Sequence, residues 1–274
     1  MQPNLQSVLT FLQKRLDDGV GYSSINTTRC ALSLLCQKID NVPIGEHKII
    51  SRFLKGVSKF KPPQPRYNNI WDPKPVLDFL GSMFPLSDLN LEKLTLKLIG
   101  LLSLVTAQRV QTLSSIKISN IRNHPLGIEI LIPNTIKTSK PGRSQPCLFL
   151  PEFGEHPEWC AVSTLNFYIK NTKTIRHGHD NLLLSFSKQH KPVTSQTVSR
   201  WIKRVLSLSG VDVSIFSAHS TRHASTSAAA RKGVGIDHIR DRAGWTASSS
   251  TFANFYNRPL DNRNIFAQAI INSN

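Results

Sequence analysis

The chain has 274 residues, 39% of them hydrophobic, enough for one large domain or two ordinary ones with sizeable cores, which excludes disorder throughout. Its 34 Lys and Arg against 17 Asp and Glu give a formal charge of +17, the footprint of a protein that meets a polyanion. A membrane surface attracts the same charge, but the densest apolar stretch, KLIGLLSLV at positions 97–105, is too short to span a bilayer and reads as buried helix.

Three helices are predicted in residues 1–60. Asn4 caps a run with Leu5, Val8, Leu9, Leu12 and Leu16 at helical spacing. A second run carries Ile25, Cys30, Leu32, Leu34 and Leu35, and a third places Ile49, Ile50, Phe53, Leu54 and Val57 near one face. Such helices pack as a small bundle. Lys14, Arg15, Arg29, Lys38, Lys48, Arg52, Lys55 and Lys59 outnumber Asp17, Asp18, Asp40 and Glu46, a balance compatible with holding DNA.

Five prolines interrupt KFKPPQPRYNNIWDPKP at positions 59–75, so residues 61–75 read as a semi-extended linker and 76–274 as a second domain. If both domains bind opposite faces of a duplex, such a connection lets them close as a clamp. The second domain opens with a helix near 73–80 and a strongly apolar one over about 89–106. SSIKISNI, LGIEILIP and QPCLFL read as three strands, and WCAVSTLNFYIK as a helix. TSQTVSRWIKRVLSLSG carries the stripe Val198, Trp201, Ile202, Val205 and Leu206, and ends before Gly210. Arg200, Lys203 and Arg204 then face outward, as DNA contacts or as a solvated face. Further helices are expected over about 221–232 and 236–243. The fold class is mainly α with a small antiparallel β-sheet, not an alternating nucleotide-binding sheet.

Cys30, Cys36, Cys147 and Cys160 form no CxxC pair, and MQPNLQSVLT lacks the basic and apolar regions of a signal peptide, so an intracellular, reducing setting is expected. His177 and His179 with Cys147, Cys160 or His190 match no strong ligand spacing, and read as scattered surface or core residues. GxGxxG and GxxxxGK[ST] are both missing, so any phosphate chemistry works without those cradles.

Four separated features suggest chemistry: Gln108-Arg109 after the apolar helix, Lys137 in IKTSKPGR, His219-Ser-Thr-Arg222, and Gly244-Trp245 followed by Tyr256. Each alone has a plainer reading. Arg109 could cap its helix, Lys137 with Lys140 and Arg143 could keep a hairpin soluble, Trp245 could be core and Tyr256 a helix anchor. His219 and Arg222 lie one helical turn apart, which aims them at a common region.

In their order these residues resemble the catalytic domain of tyrosine recombinases, particularly the integrases of DIRS and Ngaro retrotransposons, through TAQRVQTL and HSTRHASTSAA. The resemblance runs over roughly 89–259 and extends more weakly to the N-terminal helices as a core-binding domain. It implies Arg109 as the first family arginine, Lys137 as the hairpin lysine, and His219 and Arg222 as the HxxR pair. Trp245 stands where the family has His or Trp, and Tyr256 is the nucleophile. Lys140, Arg143 and His223 are further expected DNA contacts. Many members carry an acid three residues after the first arginine, where this chain has Thr112, and the Trp245-to-Tyr256 spacing is longer than in familiar bacterial members.

The chemistry agrees with this grouping. Phenolate attack on a phosphodiester gathers negative charge on the phosphate oxygens, which Arg109 and Arg222 can meet with directed N–H groups. His219 and the Trp245 indole offer further hydrogen bonds, and Lys137 is expected to protonate the departing 5′ oxygen. The resemblance implies strand exchange without metal, ATP or other cofactor. It implies double-stranded DNA as partner and a homotetramer on paired sites. The tail 260–274, with Ile265, Phe266, Ala269 and Ile270, would be exchanged between protomers. A nuclear setting follows if the source is a eukaryotic mobile element. The alternatives are an inactive transposon-derived DNA-binding scaffold and a type IB topoisomerase-like relaxase.

Overall fold

A computed structural model describes residues 3–136, 139, 142 and 145–260. The chain divides into two compact units, residues 1–66 and 67–274. In the first, α1 (Leu5–Asp17), α2 (Tyr22–Leu35) and α3 (Lys48–Phe60) surround a core that includes Leu12, Ile25, Ile44, Ile50 and Leu54. Asn4 caps α1 as its sequence position predicts, its Oδ1 accepting from the Ser7 N–H at 2.7 Å. The apolar stripe expected on α2 is narrower than its composition suggests. Ile25 and Leu32 are two turns apart and share the core face, whereas Leu34 falls on the opposite side and Leu35 ends the helix, leaving both exposed.

The second unit begins inside the stretch expected as linker. Tyr67, Ile70 and Trp71 are buried in its core, because two aromatic rings and an isoleucine stabilise more by burial than they would in an exposed connection. It continues with α4 (Pro73–Ser82), α5 (Leu91–Thr106) and the short α6 (Val110–Ser114). A three-stranded antiparallel sheet follows, β1 (Ile121–His124), β2 (Gly127–Leu131) and β3 (Cys147–Pro151), in the order β1-β2-β3. Ile121 pairs with Ile130, and Ile128 with Leu150. Gly127 is required where β1 turns into β2: at φ +150, a Cβ would lie 2.0 Å from the Leu150 carbonyl oxygen. The helices α7 (Ala161–Thr172), α8 (Ser195–Leu208), α9 (Ser220–Arg231) and α10 (Ile236–Arg242) complete the described fold.

The first strand forms later than its β-branched pattern predicts. Ser114 closes α6, and Ile118–Asn120 make a tight turn before Ile121 enters the sheet. Ile116 and Ile118 instead exchange backbone hydrogen bonds with the 180–182 segment, the Leu182 N–H donating to Ile116 and the Ile118 N–H donating to Asp180, both at 2.8 Å. The alternation therefore marks extended chain at a single bridge, Lys117 to Asn181.

Helix α5 is the axis of the unit. It packs against α7, α8 and α9, and is buried nearly all round, as KLIGLLSLV requires. Lys97 sits fully buried within that run. Its ammonium donates to the carbonyls of Leu80 and Met83 at 2.8 Å and of Glu158 at 2.7 Å. The first two oxygens belong to the C-terminal end of α4, where backbone partial charge is negative and a cation is welcome. Burial nonetheless pulls this amine down to about 8, against the raising effect of Glu158. Lys97→Met should preserve volume but strand three carbonyls, lowering stability by roughly 3 kcal/mol in urea unfolding; an unchanged midpoint would show that the staple contributes little.

Candidate active site

Helix α5 ends at Ala107, whose φ of 50° is left-handed and turns the chain sharply into Gln108 and Arg109. This turn aims the Ala107 carbonyl at α9, where it accepts from Arg222 Nη1 at 2.8 Å. Arg222 Nη2 donates to the carbonyl of Ala243, the residue that caps the C-terminal end of α10. The guanidinium thus bridges the carbonyl ends of two helices, and their negative partial charge takes the place of an acid. Gln108 strengthens the same junction, its Nε2 donating to the Arg242 carbonyl at 2.6 Å.

Arg222 is fully buried, and its guanidinium lies 4.4 Å from the centre of the Trp245 ring and 5.6 Å from that of Tyr256. Its pKa falls below the usual guanidinium range, to about 10, first through burial and then through repulsion by the nearby Arg109, with Tyr256 acting in the opposite direction. It remains a cation at neutral pH. Arg109 itself is half-buried at the start of α6. Among the described residues neither arginine is ion-paired with a carboxylate. Thr112, standing where many relatives of this type have an acid, is buried.

Tyr256 closes the arrangement. It lies at the end of Phe252–Tyr256, a single wide turn in which the Asn257 N–H reaches back five residues to the Phe252 carbonyl at 2.8 Å. Its hydroxyl is 2.8 Å from His219 Nε2, and its ring meets Trp245 at 4.7 Å and 66°. Phe252 anchors the turn in a small core with Ile239, Ala243 and Trp245. Ser227, two turns along α9 from His219, clips it from below: its hydroxyl donates to the Tyr256 carbonyl at 2.6 Å and accepts from the Arg258 N–H at 3.0 Å.

His219, Arg222, Trp245 and Tyr256 are therefore brought together, with Arg109 close enough to repel Arg222. Lys137, Lys140, Arg143 and the tail beyond residue 260 lie outside the described residues. A cleft of about 330 Å³ is lined by Gln108, Cys147, Phe149, Asp241, Arg242 and Gly244. On α8, Trp201 faces inward and stacks on Phe186, while Arg200, Lys203 and Arg204 are exposed. Arg204 is paired with Glu92, and Arg200 donates to Thr197. His223, the other expected DNA contact, sits inside the site. It is 3% exposed, because its ring is stacked on Tyr256 inside the site.

Ser227, the left-handed Ala107 and the partner of Gln108 escaped sequence reasoning. Ser227 had a faint signal, its spacing of four from His223 on one helix face; the carbonyl partners of Arg222 had none. Among the described residues no helix is long and apolar enough to cross a membrane, and no group of three or more His, Cys, Asp or Glu is placed to hold a metal ion.

Residues 82–263 match the phage integrase family. No curated protein sequence matches the chain. Among solved structures, the chain is similar to the XerH site-specific recombinase bound to palindromic difH substrate in a post-cleavage complex, with 15% identity, coverage of 99% of this chain and 73% of that one, and a TM-score of 0.64. It is also similar to the Tn1549 transposon integrase in complex with circular intermediate DNA, at 14% identity over 98% of this chain and 85% of that one, with a TM-score of 0.59. The XerA recombinase gives 15% identity, 98% and 89% coverage, and a TM-score of 0.54. At these identities the likeness is one of fold.

Ser227→Ala should release the turn that carries Tyr256. Loss of its two part-buried hydrogen bonds, about 1 kcal/mol each, should speed hydrogen exchange at the Arg258 amide by roughly fivefold or more, and an unaltered rate would remove Ser227 from the support of this segment.

Proposed function

The chain belongs to the phage integrase family, and on that premise we propose that it is a tyrosine recombinase, cutting and rejoining duplex DNA with Tyr256 as nucleophile. The supporting observation is the phenol hydroxyl 2.8 Å from His219 beside an arginine pair that has no carboxylate partner among the described residues. A phosphodiester supplies the anion that such a pair lacks.

The phenol oxygen attacks phosphorus, forming a Tyr256–phosphate bond as the bond from phosphorus to the 5′ oxygen breaks. The phenolic proton passes to His219 Nε2, and Lys137 protonates the departing 5′ oxygen. Arg109 and Arg222 meet the charge that builds on the nonbridging oxygens. The Trp245 ring, 4.4 Å from the Arg222 guanidinium, stabilises that cation, a support beyond the donor role its position suggests. In the second step a 5′ hydroxyl of another strand attacks the phosphotyrosine, and Tyr256 leaves with its proton restored. One phosphodiester replaces another, so the exchange calls for neither ATP nor a metal.

We assign the first unit, residues 1–66, to core binding of DNA and the second, 67–274, to catalysis, with the tail docking between protomers of a tetramer on paired sites. TAQRVQTL and HSTRHASTSAA favour a DIRS- or Ngaro-type mobile element, and hence nuclear access. Lys140, Arg143, Arg200, Lys203 and Arg204 are the proposed backbone contacts.

A DNA duplex with a nick that traps the cleaved state tests this reading. The wild-type chain should accumulate a covalent adduct and Tyr256→Phe none. Arg109→Ala should cleave on the order of a hundredfold more slowly, a loss of roughly 3 kcal/mol, with duplex binding retained. Arg222→Lys is the better test of the second arginine, because Ala would also strand two buried carbonyls. A wild-type chain that binds duplex without forming adduct would make it the inactive scaffold. Adduct that only reseals its own strand would make it a relaxase.

A further inference from the structure

His223 has no part in the reaction as written, yet it makes the closest ring contact with the proposed nucleophile. The His223 and Tyr256 ring centroids are 3.8 Å apart with planes 12° from parallel. His223 is 3% exposed, and its closest ring partner in the site is Tyr256. Its own ring is held in turn: Tyr67 meets it edge-on at 5.2 Å and 88°, and His219 lies 5.6 Å away at 80°. Tyr67 is fixed by its hydroxyl, 3.0 Å from Ser217 Oγ. The start of α9 is pinned by Trp71 Nε1, which donates to Ser220 Oγ at 2.8 Å.

In-line attack requires the phenol oxygen to stay on one line with phosphorus and the leaving oxygen, and small displacements are costly. The wide turn bearing Tyr256 fixes its backbone through Ser227, but a tyrosine side chain still has two free torsions. Trp245 restrains the ring from its side at 66°, and His219 holds the hydroxyl and meets the ring edge-on at 5.9 Å and 77°. The flat face of His223 blocks the remaining rotation, since turning the Tyr256 ring out of its plane would drive it into the imidazole.

We propose that His223 is a positioning residue for Tyr256, acting by the flat face of its ring rather than by its nitrogens, with Tyr67 as the wedge behind it. This rests on Tyr256 being the nucleophile, so the test has one arm that needs no turnover. With 3-fluorotyrosine incorporated at the four tyrosines, 22, 67, 168 and 256, the Tyr256→Phe spectrum assigns the line of Tyr256. Tyr168, buried elsewhere in the second unit, reports whether each variant keeps its fold.

His223→Phe supplies a flat ring without nitrogens, and His223→Leu fills the space without a flat face. We expect His223→Phe to keep the Tyr256 fluorine line shifted by ring stacking and to retain most of the single-turnover cleavage rate on nicked duplex. His223→Leu should move that line and slow cleavage on the order of tenfold to a hundredfold, with the Tyr168 line and duplex binding unchanged. A Tyr256 line that stays in place in His223→Leu, or His223→Phe falling as far as His223→Leu in rate, would overturn the proposal. A wild-type chain that forms no adduct would refute the nucleophile assignment, while the fluorine lines would still decide whether His223 fixes the ring.

Discussion

A buried guanidinium held by peptide carbonyls, not by a carboxylate, is the constraint around which the second unit is arranged. Arg222 joins the carbonyl ends of α5 and α10, and the indole of Trp245 covers its face. Taking such a charge out of water is expensive unless its N–H groups are met. Two helix termini meet Nη1 and Nη2 while leaving the net charge intact, and among the described residues the buried Nε has no acceptor. An acid in the same place would have neutralised Arg222 before any substrate arrived. Arg109 repels Arg222, and an anion between them would relieve that repulsion.

The same solution recurs through the unit. Lys97 closes the end of α4 on carbonyls, and Arg176 donates to the carbonyls of Asn181 and Leu182 and to the Thr172 hydroxyl near the end of α7. A chain with twice as many basic as acidic residues has few carboxylates to spare, and backbone carbonyls, several of them at helix ends, are the acceptors the fold supplies. This links composition to architecture: the excess positive charge remains available to a polyanion because buried cations do not consume the acids. It also makes the site depend on helix placement. A shift of α5 relative to α10 would separate the two carbonyls that Arg222 spans.

Much of this was legible in the sequence. The stripes of α1, α3 and α8 and the all-round burial of α5 follow from where their leucines, isoleucines and valines fall. The spacing of His219 and Arg222 by one turn of α9 could be read directly. Contacts made by backbone atoms could not. Nothing in the letters TAQR announces that Ala107 adopts a left-handed conformation, or that its carbonyl will find a residue 115 positions away. His223 was legible as a polar residue in a basic motif, but its burial depends on Tyr67, which composition had assigned to a connection, and on Tyr256. SSIKISNI misled because β-branched alternation reports extended backbone without saying which partner it pairs with.

The claim underlying all of this is that one phosphate can lie between Arg109, Arg222 and the Tyr256 hydroxyl. A crystal structure of the chain with nicked duplex and orthovanadate would test it most directly, since vanadate mimics phosphorus under attack. The account predicts vanadium bonded to the Tyr256 oxygen, with both guanidinium groups donating to its equatorial oxygens and His219 within hydrogen-bond reach. Vanadate bound at the cut with Tyr256 remote from it, or with either arginine turned away, would contradict the account.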